Sequence, residues 1–346
     1  MTSSSQATCT TRSRSELPSS WFEPSIHSAY FHIFANLVAA HHLPLPLPIA
    51  GPPRLLTIVD FLPLFEVFGA VDRPEAGIEL GLATPAAAHG PMGLSALSSD
   101  TLWDALVTMV RYAPVRNAVF NYRCFQQADA VILECRPRLN LGGYEKFLGY
   151  TTVLAIFNML KAISEDAVSN TRLIFPWKMP PLLQTPAIAA AAFDFNKNFL
   201  GIRMPLEMAM QPSQSADPDL CKRLKMAGEE ELSKSMGSMA AKVRHVLHQE
   251  VPQWPSLQEV ADQLAMSKRT VIRKLELEEL GYQFLLDEAR TELIRWLLRM
   301  SDMQLSEIAE RAGFSDQASF TRSFRRVQGC APSQYRSDFR SASNSG

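Results

Sequence analysis

The chain has 346 residues, 47% hydrophobic and 20% charged, with a formal net charge of -1. Such a length exceeds one ordinary core and predicts two domains of a soluble globular protein, and so balanced a charge gives no bulk attraction to nucleic acid. The five cysteines, Cys9, Cys124, Cys135, Cys221 and Cys330, form no CxxC pair and have no histidine at zinc-finger spacing, which suggests neither a disulfide framework nor a structural metal site and fits a reducing cytoplasm.

Residues 1–20 are rich in Ser and Thr without an apolar run, so they predict a disordered tail and no secretory signal. The uncharged stretch 25–53 fails as a membrane span. His27, His32, His41 and His42 interrupt it, and Pro44, Pro46 and Pro48 would break a helix short of the roughly 20 residues a bilayer needs. It reads as a buried helix over 26–40 and an extended Pro-rich connector. Apolar residues recur at helical spacing over 55–68, a charged turn follows at 72–75, and 77–93 is a Gly- and Pro-containing stretch. Ser99, Asp100 and Thr101 offer N-caps to a helix over 102–112 with Leu102, Leu106, Met109 and Val110 on one face. The β-branched and aromatic runs 118–125 and 130–136, with turn residues between, predict a hairpin. A helix over 147–163 is apolar nearly all round and therefore buried. Further strands are predicted at 171–176 and 193–204. Residues 21–215 thus read as an α+β regulatory domain that binds an effector, and 220–249 is rich in Lys, Glu and Met and helical, giving a helical linker over 216–250.

From 256 to 336 helix follows helix, and a repeat stands out. LQEVADQLAMS, starting at Leu257, resembles LSEIAERAGFS, starting at Leu305, at an offset of 48 residues, which predicts a duplicated supersecondary unit. In each copy an amphipathic helix carries a small residue, Ala261 or Ala309, where a second helix must cross closely. A tight turn follows at Ala265 and Met266 or Gly313 and Phe314, and Ser267 or Ser315 is the expected N-cap of the next helix. This is a helix-turn-helix, twice. Val271 with Leu275, and Phe320 with Phe324, lie four apart and face inward. The opposite faces carry Lys268, Arg269, Thr270 and Arg273, then Gln317, Ala318, Thr321, Arg322, Arg325 and Arg326. Arg can bond guanine in a bidentate way, Gln adenine, and Thr or Ala can meet a thymine methyl. Acidic and basic residues balance over 251–340, so the signal is the duplicated placement of arginines, not net charge.

GFSDQASFTRSFRRVQGCAPSQYR, beginning at Gly313, resembles the signature of the AraC/XylS transcription regulators, with Gly313, Phe314, Phe320, Arg322, Phe324, Gly329, Pro332, Tyr335 and Arg336 in place. SLQEVADQLAMSKRTVIRKL, with Arg290 further on, resembles the first unit of the same domain. The resemblance covers about 240–340. It implies a seven-helix domain, here 251–340 with a short tail at 341–346, in which a long helix over 282–300 presents two reading helices to successive major grooves. The base-reading positions it implies are Arg269, Ile272 and Arg273 in the first unit and Gln317, Ala318, Thr321 and Arg322 in the second. Ile272 stands where a polar residue such as Gln is common, which leaves only apolar contact there. Ser267, Lys268, Thr270, Lys274, Ser315, Arg325 and Arg326 are the expected phosphate contacts. Residues 30–215 resemble more weakly the arabinose-binding-like N-terminal domain of a subgroup of these regulators, through GIELGL, HGPMGLSALSSDTLWDAL and RYAPV.

Other chemistry is weaker. HGPMG has neither P-loop nor dinucleotide spacing and reads as a turn. His41 and His42 lack a second ligand cluster. The reading is therefore an α+β N-terminal sensory domain plus an all-α C-terminal domain with two helix-turn-helix units. The expected function is a cytoplasmic, sequence-specific regulator of transcription, an activator rather than a repressor, with no enzymatic activity, cofactor or metal. Its expected partners are promoter DNA, RNA polymerase and a small effector, which the apolar 26–40 and 147–163 could wrap if it is apolar, although ordinary core packing explains them more simply. A homodimer is compatible with this. Two alternatives stand beside it: gating by a partner protein, and a DNA-repair methyl acceptor using the same DNA-binding domain, against which Cys124 and Cys135 speak, since they lie in predicted strands with apolar neighbours where burial makes a thiol inert.

Overall fold

The computed structural model describes residues 17–40, 42, 55–165, 169–180, 192–235, 237–249, 254–301 and 303–344. Most of the expected tail, His41 and the Pro-rich connector lie outside them. A short 3-10 turn over Ser19–Phe22, at the end of the expected tail, buries Trp21. Strand β1 (Ile26–His27) pairs with β2 (Leu55–Leu56) and leads into α1 (Ser28–Ala40). Helix α2 (Ile58–Val67) starts at a capping box between Thr57 and Asp60, which satisfies backbone donors the first turn would otherwise leave open.

The Gly- and Pro-containing stretch 77–93 is largely helical: α3 (Ala76–Leu82) and α4 (Pro91–Leu97). Its glycines provide room. A Cβ at Gly77 would lie 2.3 Å from the Phe147 carbonyl oxygen, and one at Gly81 2.5 Å from Leu154 Cβ, so α3 presses directly on the helix that carries Phe147 and Leu154. Pro91 occupies the first turn of α4, where its missing N–H costs nothing. Helix α5 (Leu102–Arg116) begins at Thr101, whose side chain accepts from the Asp104 N–H.

Strands β3 (Phe120–Gln127) and β4 (Ala130–Pro137) form the expected hairpin at the edge of a five-stranded sheet that adds β5 (Arg172–Ile174), β6 (Ala192–Asp194) and β7 (Leu200–Pro205) in the order β3-β4-β7-β5-β6. Helix α6 (Glu145–Ile163) covers it and is buried on nearly every side. The single strand expected over 193–204 is two, β6 (Ala192–Asp194) beside β5 (Arg172–Ile174), and β7 (Leu200–Pro205). Strand β4 is buried along its whole length. Its alternate residues explain why: Val131, Leu133 and Cys135 join the main apolar core, whereas Glu134 and Arg136 point to the opposite face and are buried too.

After α7 (Leu206–Ala209) the elements among the described residues are all helices. The segment read as one helix over 220–249 is two, α8 (Pro218–Ser235) and α9 (Met239–Gln249). Next come α10 (Leu257–Gln263), α11 (Lys268–Glu276), α12 (Tyr282–Met300), α13 (Leu305–Arg311), α14 (Gln317–Gln328) and α15 (Pro332–Asn344). The last helix runs into the residues assigned to a tail. Met239, Val243 and Leu247 of α9 form one apolar cluster with Val260, Val271, Leu275 and Leu285. The second half differs: Trp296, Leu297, Ile308, Phe320 and Phe324 belong to the same continuous core as the N-terminal sheet. The chain thus has an α+β N-terminal part and a helical C-terminal part, the class its sequence pattern predicts. Among the described residues no helix is long and apolar enough to cross a membrane, and no group of His, Cys, Asp and Glu could hold a metal ion.

Candidate nucleic-acid interface

In the first unit, Ser256 and Glu259 form a capping box at the start of α10. The turn is made at Ala265 with φ of 51°, after which Ser267 caps α11 by accepting from the Thr270 N–H. Val271 and Leu275 are fully buried beneath α11. Helical geometry then leaves Lys268, Arg269, Ile272 and Arg273 exposed, and with Glu276 they line a shallow open groove. Thr270 and Lys274 are half-buried, and the Thr270 hydroxyl lies 2.8 Å from that of Ser267.

The second unit repeats this with one shift. Gly313 makes the turn at φ of 77°, but the cap of α14 is Asp316, not Ser315: its Oδ1 accepts from the Ser319 N–H at 2.7 Å. Ser315 instead donates to Asp316 Oδ2 at 3.1 Å. The second helix therefore starts one residue later than the repeat implies, which is why the buried pair is Phe320 and Phe324. Asp316 could have been found from sequence, since Asp is as good a cap as Ser. Hydrogen bonds from the Ser319 backbone and hydroxyl and from Ser315 hold its carboxyl below the ordinary aspartate range. A fixed negative charge therefore sits beside Ser315, which opposes a phosphate there. Gln317, Ala318, Arg322, Arg325 and Arg326 are exposed, while Thr321 is half-buried and donates to the Gln317 carbonyl at 2.8 Å. Arg322 reaches back to the Ser319 hydroxyl at 3.0 Å.

The two units are held against each other through α12. Arg290 lies between the Trp254 and Phe314 rings, 5.8 and 5.6 Å from their centroids. Arg295 Nε donates to Gln328 Oε1 at 2.8 Å, and Arg326 lies 3.7 Å from Asp287. These contacts tie α14, the turn before it and Trp254, which precedes α10, to α12.

A family profile described as "Helix-turn-helix domain" matches residues 260–338, and one described as "Arabinose-binding domain of AraC transcription regulator, N-term" matches 48–213. The chain belongs to the AraC family of transcription regulators. Relatives of this AraC-family chain include the ornithine utilization regulator of Pseudomonas aeruginosa, 25% identical over 296 residues, covering 84% of this chain and 87% of that one. The regulator VqsM of the same organism is 35% identical over 119 residues, 34% of this chain and 37% of its own. The crystal structure of the Pseudomonas aeruginosa regulator CdpR aligns with a TM-score of 0.45 at 21% identity, covering 89% of this chain and 98% of that one. The family and these relatives are regulators, not enzymes. The methyl-acceptor alternative also lacks its chemistry, because burial pushes the Cys124 thiol up to about 12 and Cys135 higher still.

In this AraC-family regulator the N-terminal part touches the helical part at named charges. Glu134 of β4 accepts from Arg311 of α13 at 3.1 Å, and Arg299 of α12 lies 3.8 Å from Glu145 of α6. On α5, Tyr112 donates to Glu229 of α8 at 2.7 Å, and Arg116 to Glu231 at 3.2 Å. The N-terminal part also holds a cavity of about 70 Å³ whose walls include Phe34, Phe65, Met92, Met109 and Leu148. No motif in the sequence disclosed it, because its lining comes from α1, α2, α4, α5, α6 and the sheet.

Proposed function

We propose that this regulator binds a promoter site of two elements. Arg269, Ile272 and Arg273 read one element, Gln317, Ala318, Thr321 and Arg322 the other, and a small effector in the N-terminal part shifts that binding. The observation that carries this reading is the paired arrangement of α11 and α14. Each buries its apolar pair and leaves a cationic and polar side exposed near its N-terminal end, which is the geometry a major groove receives. Lys268 and Arg325, with Ser267, Thr270, Lys274 and Arg326 around them, supply phosphate contacts; Ser315 is the weakest of that set because of Asp316. The N-terminal part acts by preferring one arrangement when occupied, as a population shift requires. Action in the cytoplasm, activation through RNA polymerase and work as a homodimer complete the reading, supported by the resemblance to the AraC/XylS signature.

A gel-shift series on a selected site tests it. Arg322→Ala should cost about 1 to 3 kcal/mol and relax preference at one base pair. Arg325→Ala should weaken all duplexes alike and flatten the salt dependence by about one ion. Unchanged base preference in the first variant contradicts the reading role.

A further inference from the structure

Within the mainly apolar lining of the N-terminal cavity sits a small polar cluster. His89 and Arg116 both line the cavity, both are buried, and His89 Nε2 and Arg116 Nε have no hydrogen-bond partner. The other ring nitrogen of His89, Nδ1, is 2.6 Å from the Tyr30 hydroxyl. With Tyr30 donating there, Nε2 carries the ring proton and becomes a donor. Burial first, and the Arg116 charge second, lower the His89 pKa to about 4, so at neutral pH the imidazole adds no second cation. Two buried donors without an acceptor, one of them on a guanidinium, are costly as they stand and lower in free energy when an acceptor arrives.

Gly90, whose φ of 60° already favours glycine, lies directly against the guanidinium. A Cβ on Gly90 would lie 1.9 Å from Arg116 Nη2, so the glycine of HGPMG leaves space for the arginine. The same guanidinium reaches outward: its Nη2 is 3.2 Å from Glu231 on α8, whose side chain is 41% exposed. One cation is thus shared between the cavity and the helix that leads to the DNA-binding part.

We propose that the cavity binds a small apolar carboxylic acid, with its carboxylate at His89 and Arg116, and that this carboxylate competes with Glu231 for the Arg116 guanidinium. An apolar body fits walls of Phe, Met and Leu. An anionic head is the group that keeps a buried arginine paired when it turns from Glu231. The inference rests on the effector-gated reading above and names its ligand class and its first mechanical step.

The test is calorimetric titration of the full chain with octanoate and 3-phenylpropanoate, beside octan-1-ol and octylamine. At least one of the two acids should bind, and the alcohol and the amine at least tenfold more weakly. Glu231→Gln removes the competitor from an exposed position, so it should tighten acid binding several-fold and leave the alcohol unchanged. Arg116→Gln should erase the preference for acid over alcohol. The proposal is overturned if neither acid binds, if alcohol or amine binds as tightly as acid, or if Glu231→Gln leaves acid affinity unchanged or weaker. A separate arm repeats the gel shift with acid present. Acid binding that leaves DNA affinity unaltered would sink the effector-gated reading while sparing the ligand class.

Discussion

Trp254 donates its indole N–H to the carbonyl of Ala312 at 2.8 Å, across 58 positions of sequence. The bond joins the entry to the first helix-turn-helix unit to the turn of the second. It therefore contributes to the fixed relation between the two units on which the proposed tandem reading by α11 and α14 depends.

Gly313→Ala should disturb this joint. The residue has φ of 77°, and its added Cβ would lie 2.5 Å from Trp254 Cδ1. Gly329 has the same φ with nothing within 4 Å of its Cβ position, so Gly329→Ala isolates the backbone cost, about 1 kcal/mol. Gly313→Ala should cost about 2 to 4 kcal/mol, adding displacement of a packed ring. Urea unfolding of the two variants checks the difference; equal losses would deny the Trp254 contact its role.

Ala265 makes the equivalent turn of the first unit at φ of 51° with a Cβ it does not need. Ala265→Gly should relieve that strain and stabilise the first unit by up to about 1 kcal/mol. Thermal unfolding monitored at helical ellipticity measures it.

Glu134→Gln should be among the most damaging single changes. Burial would raise the Glu134 pKa, yet Arg136, Arg311 and Arg123 together hold it below the usual glutamate value. Removing its charge leaves those guanidiniums uncompensated, at a cost of about 3 to 5 kcal/mol. Arg311→Met leaves Glu134 paired with Arg123, 3.8 Å away, so it should cost less while loosening α13 from the sheet. Denaturation midpoints rank the two, and faster amide exchange in α13 marks the second.

Stability should fall on acidification. Burial, aided by nearby arginines, lowers His89 and His245 to about 4 and His248 to about 3 from an ordinary 6.5. The unfolded chain takes up these protons first, so stability is full above 6.5 and drains as pH falls toward about 4. Glu292 opposes this: burial, then Glu288, raises it to about 7, and its contribution is complete below its ordinary value and lost as pH rises through 7. Three histidines outweigh one glutamate. Melting temperature should decline from pH 7 to 4, more steeply in Glu292→Gln.

The DNA-binding half was legible because its physics is local. Val271 with Leu275 and Phe320 with Phe324 mark buried faces by spacing alone, and Ser267 marks a helix start. The hairpin of β3 and β4 was legible for the same reason. Local rules failed where a residue serves a distant partner. Gly77 and Gly81 lie in a stretch to which no element was assigned from sequence, and they make room for α6. Glu134 and Arg136 sit in the predicted strand 130–136, and their charges answer to α12 and α13. His89 and Arg116 are 27 positions apart and meet only through folding.

Selection of bound sequences from a randomised duplex pool, with the purified chain, tests the central claim most directly. The account predicts a consensus of two elements centred about one helical turn, ~10 base pairs, apart. Arg273→Ala should blur one element and Arg322→Ala the other. A single element, or one consensus altered identically by both variants, would contradict tandem reading by α11 and α14.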